Sequence, residues 1–386
     1  MELTLALGLV VVGMWGYLLA FRGNYWHAEN ADALSVETPL IWPDIAVVIP
    51  ARNEADMMGA CLPTLLTNHY PGTLRVVLVD DRSEDGTAEM ARAIAVECGA
   101  TARLEVISAP PLAAGWKGKV AAMQYGFEHV AAQERQPEYV LFTDADIAYD
   151  SGSIAPLVAQ SMAAKLVLNS RMVKLRCEST AERFLIPAFV HFFRMLYPFA
   201  WVNNPHHKLA AAAGGCMLVQ YKTLARAGGL AAIRAALIDD CALGRLMKTH
   251  GPIWLGLTRQ IRSLRPYPVV ADIRAMVSRT AYDQLGYSPW QLAGSMLGMA
   301  LMSIAPLWLA LCGQGLAQLC GVVTWAAMSV SFVPMLRFYR QSGTRCLELP
   351  LVAACYMGFT FDSAIQYYRG RGGMWKGRAQ AGSLAA

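Results

Sequence analysis

Asp144 and Asp146 stand one residue apart at the end of the apolar run Tyr139-Val-Leu-Phe-Thr-Asp-Ala-Asp146. An unbroken row rich in β-formers reads as a strand buried on both faces. Its carboxyl end is where open α/β sheets bind ligands. If the strand gives way to a turn there, both carboxylates can lie near one ion. Hard cations such as Mg²⁺ or Mn²⁺ prefer oxygen ligands and commonly sit between one or two acids and substrate phosphates. The bland alternative is that the two acids cap a helix or face water. A second acidic pair, Asp80-Asp81, ends the run from Arg75, and a third, Asp239-Asp240, follows Leu237-Ile238. A carboxyl crowded by others and partly buried holds its proton more tightly, which suits a general base. The Asp239-Asp240 pair could equally open a helix, favoured by the macrodipole. Both can be true, since Cys241 to Lys248 reads as helical.

Three smaller features carry the same kind of choice. Lys117 and Lys119 flank Gly118 before a helical stretch, where a phosphate would meet positive charge and backbone donors; otherwise they are a solvated pair. Asp85-Gly-Thr87 is either a turn with a helix cap or a ligand contact, with capping the better reading for Thr87. Ala211-Ala-Ala-Gly-Gly215 lets a ligand approach the backbone closely, or packs a turn.

The elements that must position these residues follow from the pattern. Ile45-Ala-Val-Val-Ile-Pro50, Arg75 to Asp81, Leu104-Glu-Val-Ile107 and Tyr139 to Asp146 read as strands alternating with helical stretches. That alternation implies an α/β fold with a mostly parallel sheet and helices on both faces. Acids recur at the strand ends, so chemistry gathers along one sheet edge.

The rest of the chain is too apolar for an ordinary soluble enzyme. It is 386 residues long, 55% hydrophobic and 16% charged, with a mean hydropathy of +0.33. Leu3 to Phe21 is long enough to cross a bilayer, and Arg22 just beyond it holds the following chain in the cytoplasm. Three apolar segments follow Trp290, at roughly 291–312, 316–336 and 347–366. Arg337, Arg340, Arg345, Arg369 and Arg371 flank the last of them on both sides. That segment, with Pro350 and Asp362, is therefore expected to be re-entrant or interfacial. The aromatic stretch Arg183 to Pro198, broken by Pro187 and carrying His191 and Arg194, reads as an interfacial helix, with a buried core helix as the alternative. The expected organisation is an anchor over 1–23 and a cytoplasmic catalytic domain over 44–289, with an interfacial helix near 183–202. Membrane segments over 290–368 and a basic cytoplasmic tail over 369–386 complete it. No Lys/Arg run suggests a nucleic-acid surface, and nine scattered cysteines without Cys-x-x-Cys argue against a zinc site or a disulfide framework. The apolar segments carry too few ionisable residues to line a channel.

Six elements in order, Val48-Ile-Pro-Ala-Arg-Asn-Glu54, Val79 to Thr87, Gly115-Trp-Lys-Gly-Lys119, Thr143-Asp-Ala-Asp146, Gly214-Gly215 and Ile238 to Arg245, resemble the family 2 glycosyltransferases, which have the GT-A fold. With Trp375-Lys-Gly-Arg378 the chain is most similar to the bacterial hopanoid-associated members. The resemblance implies a membrane-bound inverting enzyme of the bacterial inner membrane, multi-pass, with its catalytic domain cytoplasmic. It would move a single sugar from a nucleotide-sugar, a UDP-sugar by the pattern, to a lipid-type acceptor with Mg²⁺ or Mn²⁺. Pro50, Ala51, Glu54 and Asp81 would line the nucleotide pocket, with Asp81 accepting the ring N–H of the base. Lys119 would lie near the donor, Asp144 at ribose and metal, Asp146 on the metal, and Asp240, beside Asp239, at the acceptor hydroxyl. Asp239 stands where the family usually has Glu. Gln284 fits the family's Gln-x-x-Arg-Trp, but Gly286-Tyr287 replaces the Arg-Trp pair, which argues against a processive polymer synthase. Arg279 is expected to supply the missing charge to the diphosphate. A polyprenyl-phosphate sugar transferase and a catalytically inactive membrane scaffold are the competing readings.

Overall fold

The computed structural model describes residues 2–373, so Trp375-Lys-Gly-Arg378 and most of the basic tail lie outside the described residues. The chain divides into two compact units. One comprises Glu29–Arg176 and Trp201–Pro266; the other comprises the chain up to Ala28, Cys177–Ala200 and the chain from Tyr267 on. The stretches 177–200 and 267–289, expected in the sheet domain, thus belong to the second unit.

The first unit is built on eight strands: β1 (Ile45–Ala51), β2 (Leu74–Asp80), β3 (Leu104–Ser108), β4 (Tyr139–Phe142), β5 (Ile147–Tyr149), β6 (Leu168–Lys174), β7 (Met217–Gln220) and β8 (Ile253–Ser263). They lie in the order β3-β2-β1-β4-β7-β6-β8-β5. β3, β2, β1 and β4 are mutually parallel, β7 runs against both β4 and β6, β8 runs parallel to β6, and β5 runs against β8. Two reversals at β7 leave β6 and β8 pointing the same way as β4, so the carboxyl ends of β1, β2, β4 and β8 share one sheet edge.

The run from Tyr139 was expected to be one strand ending at Asp146. The strand is shorter: β4 stops at Phe142, and after a turn a separate strand, β5, begins at Ile147 on the far edge of the sheet. The turn between them carries both acids. The reason lies partly in β1. Val48 O accepts from Thr143 N at 3.2 Å, so Val48 faces β4 and Pro50, two residues on, faces the same way. Pro50 has no N–H to offer a fifth residue of β4, and the ladder ends where the proline would have had to donate.

The core of this unit is a continuous apolar layer that includes Ile45, Val47, Ile49, Leu62, Leu65, Leu78, Ile94, Leu141, Leu157 and Leu218, all at most 4% exposed. Burying each such side chain contributes about 1.5–3 kcal/mol. On the opposite sheet face the helix Gly118–Ala131 packs against Val48 and Val79 through Gly126, where a Cβ would stand 2.6 Å from Val48 Cγ1 and 2.8 Å from Val79 Cγ2. That close approach sets the depth at which Lys119, in the helix's first turn, is held.

Among the described residues of the second unit, three helical stretches are long and apolar enough to cross a membrane: Glu2–Phe21, Pro289–Cys312, which contains a single π-turn at Ala300–Ile304, and Gly315–Phe338. Gly8 lies against Cys320, where an added Cβ would come within 2.9 Å of the Cys320 Cβ. Further along, Trp15 Nε1 donates to Met302 O at 2.7 Å. Beyond the helix, Tyr25 meets the His191 ring at 5.4 Å, and His191 meets Phe332 at 5.2 Å. From residue 8 to 25 the contacts on the third helix thus advance from 320 to 332, so Glu2–Phe21 and Gly315–Phe338 run parallel, with Pro289–Cys312 antiparallel to both.

Thr180–Leu196 is a helix through Pro187, opened by a capping box in which Ser179 and Glu182 exchange hydrogen bonds. Most of its length is buried within the helical unit, including His191 and Arg194. Burial pushes the His191 imidazole down to about 3, with nearby Arg194 adding to the effect, so it is neutral. Leu349–Tyr368 is not among the stretches apolar enough to span. Polar bonds tie it to its neighbours: Ser278 Oγ donates to Asp362 Oδ2 at 2.9 Å, Tyr282 N donates to Ser363 Oγ at 3.0 Å, and Tyr356 Oη donates to Leu185 O at 3.0 Å.

Candidate active site

The sheet edge opens at β1 and β2. Arg52 and Asn53 follow β1, and Asp81 follows β2. Asn53 adopts a left-handed φ of 51° and Arg82 one of 57°. Their strain is held by cross-bonds between the two loops: Asn53 N donates to Ser83 Oγ and Glu84 N to Asn53 Oδ1, both at 2.9 Å. Asp85 resolves as a structural clip. Its Oδ2 accepts from Ala55 N at 3.0 Å and its Oδ1 from Thr87 N at 3.1 Å, while Thr87 Oγ1 accepts from Glu54 N at 2.9 Å. Asp81 is buried, and Arg52 Nη1 donates to its carbonyl at 2.6 Å and lies 4.0 Å from its carboxylate. Pro50 and Ala51 form the wall between.

Next along the edge, Lys119 Nζ lies 2.7 Å from Asp144 Oδ1 and 3.3 Å from Asp239 Oδ2. The second contact is not aligned as a hydrogen bond, so Asp239 Oδ2 is a buried oxygen without one. Asp240 accepts from the N–H groups of Gly214 at 2.9 Å and Cys241 at 2.7 Å. Gly214 leaves room here: a Cβ on it would crowd Lys119 Nζ at 3.3 Å and touch Asp240 Oδ2 at 3.5 Å. Gly215 O accepts from Thr143 Oγ1 at 2.8 Å, fastening the Asp144 turn to the glycine pair. Asp239 and Asp240 also open the helix Asp239–Lys248, so the capping and the site readings both hold.

Crowding sets the electrostatics. Burial and the neighbouring Asp239 push the Asp240 carboxyl up to about 6, against the pull of Lys119 and two backbone donors. Asp144 is raised by desolvation and by Asp146 and Asp239, with Lys119 opposing. Its side chain keeps 36% of its surface toward the open cleft. Burial alone would lower Lys119, but Asp144, Asp239 and Asp240 outweigh it and hold the ammonium above its ordinary value. Asp146 Oδ2 accepts from Ser263 Oγ at 3.0 Å and from Arg265 Nε at 3.1 Å, and Arg265 Nη2 reaches Glu54 Oε2 at 2.5 Å. Arg265 was not expected from the sequence. It follows the last strand, and no motif announces it, because the order of strands that brings β8 to this edge is not written locally.

Pro50, Ala51, Glu54, Asp81, Lys119, Asp144, Asp146, Asp239 and Asp240 all belong to this one sheet edge. Arg279 does not: it belongs to the helical unit, just past the helix Val270–Ser278. Gln284 also lies there, donating to Tyr197 Oη at 2.6 Å.

For a metal, the donor set can be tested directly. Among the described residues no three His, Cys, Asp or Glu side chains already surround one position. Asp144 Oδ2 and Asp146 Oδ1 make no hydrogen bond among the described residues, which leaves one carboxylate oxygen on each acid. Mg²⁺ and Mn²⁺ need no more from a protein when phosphates and water complete the shell. Glu54, Asp144, Asp146, Asp239 and Asp240 also outnumber Lys119 and Arg265, so the site has negative charge to spare. The residues fit such an ion.

Residues 43–253 match the family model described as glycosyltransferase like family 2, and the chain belongs to that family. The protein is thus a glycosyltransferase with a GT-A fold. Among solved structures, it is similar over 94% of its length to a mannosyltransferase from Pyrobaculum calidifontis, solved with GDP-Man and Mn²⁺. That match covers 98% of the other chain at 17% identity with a TM-score of 0.55. Glucosyl-3-phosphoglycerate synthase from Mycobacterium tuberculosis matches 63% of this chain and 79% of its own at 18% identity, with a TM-score of 0.39. Among curated proteins none matches the chain in sequence.

Proposed function

We propose that the protein is an inverting, membrane-bound glycosyltransferase that moves one sugar from a nucleoside diphosphate sugar to a hydroxyl of a lipid acceptor. The observation that carries this reading is the meeting of Asp144, Asp239 and Asp240 around Lys119 beside the nucleotide-facing loops. The loops after β1 and β2 receive the base and ribose, with Asp81 toward the ring N–H. Asp144 and Asp146 would hold Mg²⁺ or Mn²⁺, which would supply positive charge to neutralise the departing diphosphate. Asp240 takes the acceptor's proton as its oxygen attacks the anomeric carbon from the face opposite the leaving group. The anomeric C–O bond breaks, and the electron pair leaves with the nucleoside diphosphate. A carboxyl near 6 is well placed to accept that proton at neutral pH.

The membrane reading rests on the three apolar helices. With Glu2–Phe21 parallel to Gly315–Phe338, one end of the bundle carries Arg22, Arg337, Arg340 and Arg345, while the turn at Gly313-Gln314 at the other end is uncharged. The positive-inside rule puts the arginine end in the cytoplasm. Three crossings leave the chain after Phe338 cytoplasmic, with Leu349–Tyr368 lying at that face without crossing. A bacterial inner membrane suits this arrangement. The resemblance around Gly115-Trp-Lys-Gly-Lys119 makes hopanoid-type hydroxylated lipids the first acceptors to try.

The test is transfer and donor hydrolysis by detergent-purified protein with a panel of nucleotide sugars, with and without Mn²⁺ or Mg²⁺, beside Asp146→Ala. Cation-dependent release of nucleoside diphosphate that disappears in Asp146→Ala supports the reading. Transfer unaffected by chelator and by Asp146→Ala would sink the role given to the acid pair.

A further inference from the structure

Arg265 touches both Glu54, proposed for the nucleotide pocket, and Asp146, proposed for the metal. Its guanidinium joins three elements: Glu54 after β1, Asp146 in the β4–β5 turn, and its own segment beyond β8. Ser263 Oγ and Arg265 Nε together occupy Asp146 Oδ2, leaving Oδ1 to any incoming ion. Glu54 and Asp146 are largely buried at 11% and 12% exposure, whereas Arg265 keeps 27% of its side chain in the cleft. Of the three, the cation is the one most accessible to an incoming anion.

A guanidinium prefers phosphate or carboxylate in bidentate fashion, and a nucleoside diphosphate offers both charge and matching oxygens. If Arg265 stayed on Glu54 and Asp146, a diphosphate entering beside them would meet their carboxylates with less compensating charge. We infer that Arg265 is a positioning residue that exchanges partners: it holds Asp146 to Glu54 in the nucleotide-free enzyme and passes to the diphosphate when the donor arrives. The charge of Asp146, no longer neutralised by Arg265, is then fully presented to the divalent cation at Oδ1. Nucleotide and cation therefore enter as a coupled pair, each raising the affinity for the other by the same factor. A bare cation competes with Arg265 for Asp146 and binds weakly. This inference rests on Asp144 and Asp146 being the cation's acids.

The test measures Mn²⁺ binding by electron paramagnetic resonance and UDP or GDP binding by calorimetry, each alone and together, on the full-length protein in detergent. In the wild type, nucleotide should tighten Mn²⁺ by about tenfold or more. In Arg265→Gln the two affinities should move in opposite directions: Mn²⁺ alone binds tighter, nucleotide alone binds weaker, and the coupling collapses toward one. Arg265→Lys, which keeps the charge but cannot span both acids, should show the same signs at smaller size, and it decides the matter if Arg265→Gln fails to fold. A residue that merely braces the loops would weaken both ligands together, and that result overturns the exchange while leaving the cation site intact. A wild type that binds no Mn²⁺ at saturating nucleotide removes the cation site itself, and the exchange with it.

Discussion

Replacing Asp240 by Asn separates the proposed base from the architecture that holds it. The native carboxyl keeps its proton up to about 6 against an ordinary value of 3.8, so its charged form carries a penalty of roughly 3 kcal/mol at about 1.36 kcal/mol per unit. The native state binds more protons than the unfolded chain between those values. This group's contribution to stability is therefore present below 3.8 and is lost as pH rises through about 6. Asn removes that penalty at neutral pH. It also leaves either Gly214 N or Cys241 N facing an amide donor instead of an oxygen, at a cost of about 1–3 kcal/mol. The two terms nearly cancel, so thermal unfolding at pH 7 should move by no more than a few degrees. Transfer should nevertheless fall about 10²–10⁴-fold, the usual worth of a positioned base. Nucleotide-sugar binding should be kept. In the wild type kcat/KM should rise with pH through a limb near 6, and that limb should be missing from the residual activity of the variant. Calorimetry of donor binding, a melting curve and a pH–rate profile together make the assay. If Asp240→Asn retains transfer within tenfold, or keeps the same acidic limb, the proton goes elsewhere.

Lys119→Met takes away the cation that Asp144 and Asp239 share. Stability at neutral pH should drop by about 2 kcal/mol, less than for a fully buried pair because Asp144 is partly exposed; the loss should shrink as the acids protonate on acidification, and the acidic limb of kcat/KM should shift above 6. Gly126→Ala places a methyl into Val48 and Val79 and should cost about 1–3 kcal/mol in urea unfolding, with a fall in activity because Lys119 rides on the same helix. Glu182→Ala leaves the N–H groups of Glu178, Ser179 and Tyr267 without their buried acceptor. It should lower the melting temperature of the detergent-solubilised protein by an amount matching about 3 kcal/mol or more, where an exposed cap would cost about 1.

The parallel half of the fold was legible because its strands are unbroken β-branched runs and each ends in a polar turn, so periodicity and punctuation agree. Asp81, Lys119, Asp144, Asp146 and Asp240 could be picked out for the same reason: each sits beside an element boundary that the local sequence marks. The hop from β4 to β5 was not legible, since Ile147-Ala-Tyr149 is as apolar as β4 and nothing in the run says that the chain changes neighbours. Arg265 was invisible for a related reason, because its contacts depend on that hop to β5, which pairs with β8 and brings the Asp146 turn to β8's end. The expectation for Arg279 drew on order along the chain, whereas the chain re-enters the helical unit at Tyr267, a dozen residues earlier. Thr180–Leu196 read as interfacial from its charges; His191 and Arg194 are instead buried in the helical unit.

The β4–β5 turn also has a schedule. Asp144 lies two residues past β4, whose neighbour β1 has already been made when Phe142 is synthesised. Asp146 is different: its carbonyl accepts from Leu264 N at 2.9 Å, and its carboxylate partner Ser263 lies 117 residues further on. At roughly 5–20 residues per second that interval is on the order of ten seconds. For that time a nascent chain can close the nucleotide-facing strands while one acid of the pair still hangs from an unpaired turn. The sheet is therefore completed toward its far edge, and a chain stopped before Ser263 would carry the β3-β2-β1-β4 half with the Asp146 turn still unpaired.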